Sequence, residues 1–138
     1  MKKFKAVILI FLLLTTLTML NGCAAGEPSD ITAPTLTTWE KAIEIMAQDD
    51  IIILDVRTPA EFEAGHIPGA VNVPLNELST AVNYLIADIN QVILVYCRSG
   101  NRSTEALGFL VNMGYTNVFD AGGILDWPGE IVNQGETG

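Results

Sequence analysis

Along most of the chain, apolar runs of strand length alternate with segments whose apolar residues recur at helical spacing. Ile51-Ile52-Ile53-Leu54-Asp55-Val56 and Val92–Tyr96 are apolar at consecutive positions, so each needs cover on both faces. Val71–Val73 and Val118–Phe119 are shorter strand candidates, and Ala33–Leu36 reads as a short first strand. Thr37-x-x-Glu40 reads as a capping box opening a helix with Trp39, Ala42, Ile43 and Met46 inward. A second helix is predicted over Leu78–Ile89, with Leu78, Val82, Leu85, Ile86 and Ile89 inward. A third runs from Ser103 to Met113 and stops at Gly114. Ile124–Trp127 fits a short helical turn. Doubly covered strands alternating with helices predict an α/β fold with a parallel central sheet. Such sheets bind ligands beyond the carboxyl ends of their strands, and Cys97 follows Val92–Tyr96 at that edge.

The first residues form a different pattern. Lys2, Lys3 and Lys5 precede the apolar stretch Ala6–Leu20, the layout of an export signal. An uncleaved anchor helix is the alternative, although the stretch is short for a membrane span. Leu20-Asn21-Gly22-Cys23 resembles the lipobox of bacterial lipoproteins. That resemblance implies lipidation of Cys23, cleavage before it, and an exported chain anchored at a cell surface or periplasmic face. One acyl chain holds a protein only marginally, and two or three hold it stably. The expected organisation is a signal peptide at 1–22, a tether at 23–34, one domain at 35–130 and a polar tail at 131–138.

Charge narrows the partners. Without residues 1–22, Lys41, Arg57, Arg98 and Arg102 face all 16 acidic residues, a net charge of −12. That balance argues against nucleic acid and against electrostatic attraction to anionic lipid. Three of the four basic residues are Arg57, Arg98 and Arg102, which suggests a local anion site in an acidic body.

The chain has two cysteines. With Cys23 lipidated, Cys97 has no disulfide partner, and it is then either an inert buried thiol or a reactive one. The residues after it, Arg98-Ser99-Gly100-Asn101-Arg102, favour the second reading. Gly100 permits a left-handed backbone. The helix that follows leaves its first N–H groups without intrahelical partners. A loop curving into such a terminus turns successive N–H groups inward as an anion nest. A thiolate held there is stabilised, and a low thiol pKa makes a nucleophile near neutral pH.

Four ordered stretches resemble the rhodanese-like domains, the single-domain sulfurtransferases. They are Leu54-Asp55-Val56-Arg57, then Glu61 to Ala70 (EFEAGHIPGA), then Val95 to Ser103 (VYCRSGNRS), then Gly122-Gly123-Ile124 with Trp127. The resemblance implies a central parallel sheet of about five strands with helices on both faces. It implies that Cys97 takes a sulfane sulfur from thiosulfate or a similar donor as a persulfide and passes it to a thiol or to cyanide. Arg98, Ser99, Gly100, Asn101 and Arg102 match the family's active-site loop. No metal or organic cofactor is required, and a monomer is expected. A persulfide-carrying or protein-binding module without turnover is the alternative. A small phosphatase or arsenate reductase is a third reading, but those loops follow C-x5-R. Here Arg102 makes C-x4-R, and Ser103 occupies the C-x5 place.

Other residues are weaker candidates. His66 is the single histidine and reads as hydrogen-bonded scaffold rather than a catalytic base. Asp55 and Arg57 lie near the Cys97 edge. Asp55 reads as scaffold. Arg57 either orients a substrate anion or pairs with Glu61 or Glu63. Trp39 and Trp127 read as packing residues, and Asp120 with Ala121-Gly122-Gly123 as a wall of the site.

Overall fold

The computed structural model describes residues 34–133. Cys23 and the expected signal and tether, apart from Pro34, lie outside the described residues. Five parallel strands form one sheet in the order β1-β5-β4-β2-β3: β1 (Thr35–Leu36), β2 (Ile51–Asp55), β3 (Val71–Asn72), β4 (Val92–Cys97) and β5 (Val118–Gly123). Four helices connect them: α1 (Trp39–Met46), α2 (Pro59–Glu63), α3 (Leu78–Leu85) and α4 (Asn101–Asn112). Single 3-10 turns occupy Leu75–Glu77 and Ile124–Asp126. Among the described residues, no helix is long and apolar enough to cross a membrane.

The α/β expectation holds because β4 alternates between two cores. Ile93, Val95 and Cys97 point into one core with Leu78 and Val82 of α3 and Ala106 and Leu110 of α4. Leu94 and Tyr96 point into the other with Trp39, Ala42 and Ile45 of α1. Both faces of the strand are therefore dry, which is why its sequence is apolar throughout.

Several local expectations change. The cap of α1 is Thr38, not Thr37, and its side chain accepts from the Lys41 N–H. Ile45 rather than Ile43 turns inward, and Ile43 is exposed. The predicted long helix ends at Leu85, leaving Leu85 and Ile89 exposed while Leu78, Val82 and Ile86 are buried. Helix α4 opens two residues before Ser103. Strand β5 runs on through Asp120 and Ala121 to Gly123, with a register shift against β4 between Val95 and Tyr96. Beyond residue 130, Val132 bridges His66 in antiparallel fashion.

Helix α2 has no counterpart in the periodicity, because five residues are too few to show a period. A capping box holds it. Thr58 accepts from the Glu61 N–H, and Glu61 accepts from the Thr58 N–H at 3.0 Å, with Pro59 at the first turn.

Candidate active site

Cys97 is the last residue of β4, 1 % exposed and free. Cys97 pairs with Gly123 of β5, while the β2 ladder ends one residue earlier at Asp55 opposite Tyr96. The chain leaves β4 through exposed Arg98 and Ser99, then turns at Gly100 with φ +102°. That left-handed conformation lets the loop reverse into α4 within three residues. It also aims the Gly100 N–H at the Cys97 Sγ, 3.1 Å away. Asn101 opens α4 on its exposed side.

Burial pushes the thiol up. The Ser103 N–H, its hydroxyl, and the N–H groups of Ser99 and Gly100 outweigh that and hold Cys97 below its ordinary value. In the sequence Ser103 reads as a helix start and as the residue at the C-x5 place, with no role at the thiol. It is fully buried, and its Oγ lies 2.8 Å from Gly100 O and 3.3 Å from Gly122 O, tying the loop to β5. A hydroxyl in the first turn after a nest is the signal that marks it.

The thiolate makes a direct prediction. A depressed pKa stabilises the fold fully above the unfolded-chain value of roughly 8.5, and that contribution fades as pH falls through the lower folded value. Thiolate absorbance in the far ultraviolet, followed against pH in the native protein, is expected to rise with a midpoint below that of the urea-unfolded chain. Equal midpoints would remove the nest from the account.

Strand β5 forms the wall behind the loop. The Leu125 N–H donates to Arg98 O at 3.3 Å. Asp120 is buried, accepting from the Gly122 N–H and from Thr104 Oγ1 of α4, both at 2.8 Å. These bonds fix the register shift that brings Gly122 and Gly123 alongside Tyr96 and Cys97. Trp39 packs edge-on against Trp127, and its indole N–H donates to Gly123 O at 2.9 Å. It therefore reaches the wall as well as the core.

The three arginines have separate situations. Arg57 is buried and pairs with Asp55, not with Glu61 or Glu63: Nη2–Oδ2 is 2.6 Å and Nε lies 3.0 Å from both carboxylate oxygens. It also donates to Gly65 O at 2.7 Å, and its guanidinium sits 5.6 Å from the Tyr96 ring centre. The Tyr96 hydroxyl in turn accepts the Ile67 N–H. Asp55 and Arg57 thus clamp the crossing from α2 to β3. Cutting a pair buried like this costs about 3–5 kcal/mol, because the surviving charge stays buried.

Arg102 forms a fork on Glu61, Nη1–Oε2 and Nη2–Oε1 both 2.7 Å. The guanidinium holds Glu61 far below the usual carboxylate range, and Glu61 raises Arg102. Arg98 makes no ion pair among the described residues. Arg102 also lines a cavity of about 320 Å³ together with Val56, Thr58, Pro74, Leu75, Asn76 and Glu105.

His66 stacks on Phe62, ring centres 3.7 Å apart, and its Nδ1 lies 2.9 Å from Phe62 O. Both contacts belong to the α2 turn. Among the described residues, no cluster of three or more His, Cys, Asp or Glu is placed to hold a metal ion.

The chain is similar to several known proteins. The Escherichia coli K12 thiosulfate sulfurtransferase PspE is 40 % identical over 73 residues, covering 53 % of this chain and 70 % of the relative. A Pseudomonas putida thiosulfate sulfurtransferase, GlpE, is 32 % identical over 84 residues, covering 61 % and 74 %. A solved structure described as rhodanese with anions from E. coli superposes with a TM-score of 0.57 at 36 % identity, covering 59 % of this chain and 96 % of that one. A solved structure of a human single-domain sulfurtransferase gives a TM-score of 0.61 at 26 % identity, covering 69 % of this chain and 95 % of that one. The family description "Rhodanese-like domain" matches residues 38–130, and with β4, its loop and the β5 wall in place the chain belongs to that family.

Proposed function

We propose that this chain is a sulfurtransferase that moves a sulfane sulfur through a persulfide on Cys97. The observation that carries the reading is the Gly100 N–H aimed at the Cys97 Sγ at 3.1 Å, at the mouth of a loop that ends in a helix N-terminus. The Cys97 thiolate attacks the outer sulfur of thiosulfate. The Sγ–S bond forms, the donor's S–S bond breaks, and sulfite departs with the electron pair. The product is a persulfide anion, whose terminal charge needs the same inward N–H groups that favoured the thiolate. Cyanide then attacks the outer sulfur and leaves as thiocyanate, or a thiolate leaves as a persulfide, and Cys97 returns as thiolate. Each step conserves charge and requires no outside oxidant.

The sulfurtransferase relatives support this reading, as does the loop length. A phosphatase loop places its arginine one residue later, where this chain has Ser103 bonded to its own loop. The reading also takes the chain as exported and held to a membrane by lipid on Cys23, on the strength of the LNGC stretch. The test of the activity is intact mass after thiosulfate treatment of the domain lacking residues 1–23. One added sulfur atom, removed by cyanide with release of thiocyanate, is expected. No added sulfur, or turnover of an aryl phosphate in its place, would reject it.

A further inference from the structure

The Arg102 fork is filled by the protein itself. Both terminal nitrogens of the guanidinium lie 2.7 Å from a Glu61 oxygen. These are the donors that the oxygens of an anionic substrate would use. Glu61 is not free to swing away. Its Oε2 also accepts from the Thr58 N–H at 3.0 Å and the Thr58 hydroxyl at 2.9 Å, so the capping box of α2 holds the carboxylate in position. The second arginine near the site, Arg57, is neutralised by Asp55 and buried. The loop therefore presents one cation to solvent, Arg98, and one that already carries a carboxylate.

We propose that Glu61 is the residue that sets donor selectivity by charge, occupying Arg102 so that a dianionic donor must compete with a built-in carboxylate. The inference rests on the sulfurtransferase reading. It makes thiosulfate a handicapped donor and favours sulfane donors with less charge, such as a thiosulfonate monoanion, R–SO₂–S⁻. The transfer is the same for both: Sγ–S forms, the donor S–S bond breaks, and sulfite or sulfinate leaves with the pair.

Glu61→Gln is the diagnostic variant. Glutamine keeps an acceptor for the Thr58 N–H, so α2 retains its cap. It gives up the charge on Arg102. Because the pair is partly exposed, the released interaction is modest, and KM for thiosulfate is expected to fall about fivefold with kcat little changed. KM for the thiosulfonate should move less than about twofold. Glu63→Gln, an exposed carboxylate on the same helix, removes the same net charge and should move neither. In an Arg102→Ala background, Glu61→Gln should have no effect on thiosulfate, since the cycle isolates the pair. An unchanged ratio of donors in Glu61→Gln would overturn the inference, as would an equal effect without Arg102. Wild-type protein that accepts sulfur from neither donor would instead overturn the sulfurtransferase reading on which it rests.

Discussion

Cys97→Ser is expected to abolish sulfur uptake and to lower thiocyanate formation by at least about a thousandfold, because the attacking atom itself is removed. Serine has nearly the volume of cysteine, so the core of Ile93, Val95 and Leu110 around it stays filled. The Gly100 N–H still finds an oxygen acceptor where the sulfur was. The hydroxyl, however, ionises far too weakly to attack, and an oxygen at this place forms no persulfide. The measurement is intact mass and thiocyanate release, with thermal melting to show that the fold remains. A serine variant that still acquires sulfur would place the carrier elsewhere and remove the mechanism.

Gly123→Ala is the second large effect, and it acts from outside the loop. A Cβ on Gly123 would stand 2.6 Å from Arg98 O and 2.7 Å from Ser99 Cα. Both are backbone atoms, so no rotamer relieves the contact. The loop must back away from β5, and overpacking of this kind costs about 1–3 kcal/mol of stability. The functional cost is larger. The loop is also held to β5 by Ser103 at Gly122 O and to the turn beyond it by Leu125 at Arg98 O. Shifting the loop displaces the N–H groups from the sulfur, and misplacement by about an ångström costs on the order of a hundredfold in rate. The expected result is a folded protein with slightly reduced melting temperature and about 1 % of wild-type thiocyanate formation. Gly108→Ala is the control. It sits in α4 with nothing within 4 Å of its would-be Cβ, and should be neutral or mildly stabilising. Equal activity in Gly123→Ala and Gly108→Ala would show that the β5 wall does not position the loop.

Much of this site is legible along the chain because its parts are local. Val92–Tyr96 reads as a buried strand because five successive apolar residues, rich in β-branched side chains, are of strand length and are followed at once by a Gly-containing loop. Cys97 comes next, Gly100 permits the reversal, and the helix after it supplies free N–H groups. These features follow one another within about ten residues, so periodicity and residue type suffice to read them.

What pairs with what was not legible in the same way. Arg57 had Glu61 and Glu63 close in sequence, yet it turned back to Asp55, because β2 ends there and both side chains are buried beside Tyr96. Glu61 was left for Arg102, 41 residues away, which only the packing of α2 near the start of α4 brings within 2.7 Å. Leu85 and Ile89 kept the apolar spacing of a helix face, but α3 stopped at Leu85 and the face they would have joined was never built. Strand β5 reads as two residues long because Asp120, Gly122 and Gly123 have low strand propensity; the Gly122 N–H donating to Asp120, and pairing with Tyr96 and Cys97, extend it.

The sequence by itself determined the sheet class, the strand that delivers Cys97, and the short Gly-containing loop behind it. Each depends on burial period, backbone freedom and chain order, which are properties of neighbouring residues. The tertiary structure alone decided which carboxylate each arginine meets, that Gly123 must lack a side chain, and that Ser103 ties the loop to the wall. Apart from Arg57 and Asp55, which meet only once both are buried at the end of β2, those contacts join residues about 20 to 40 positions apart. Their energies depend on distance and burial, which exist only after the chain has folded.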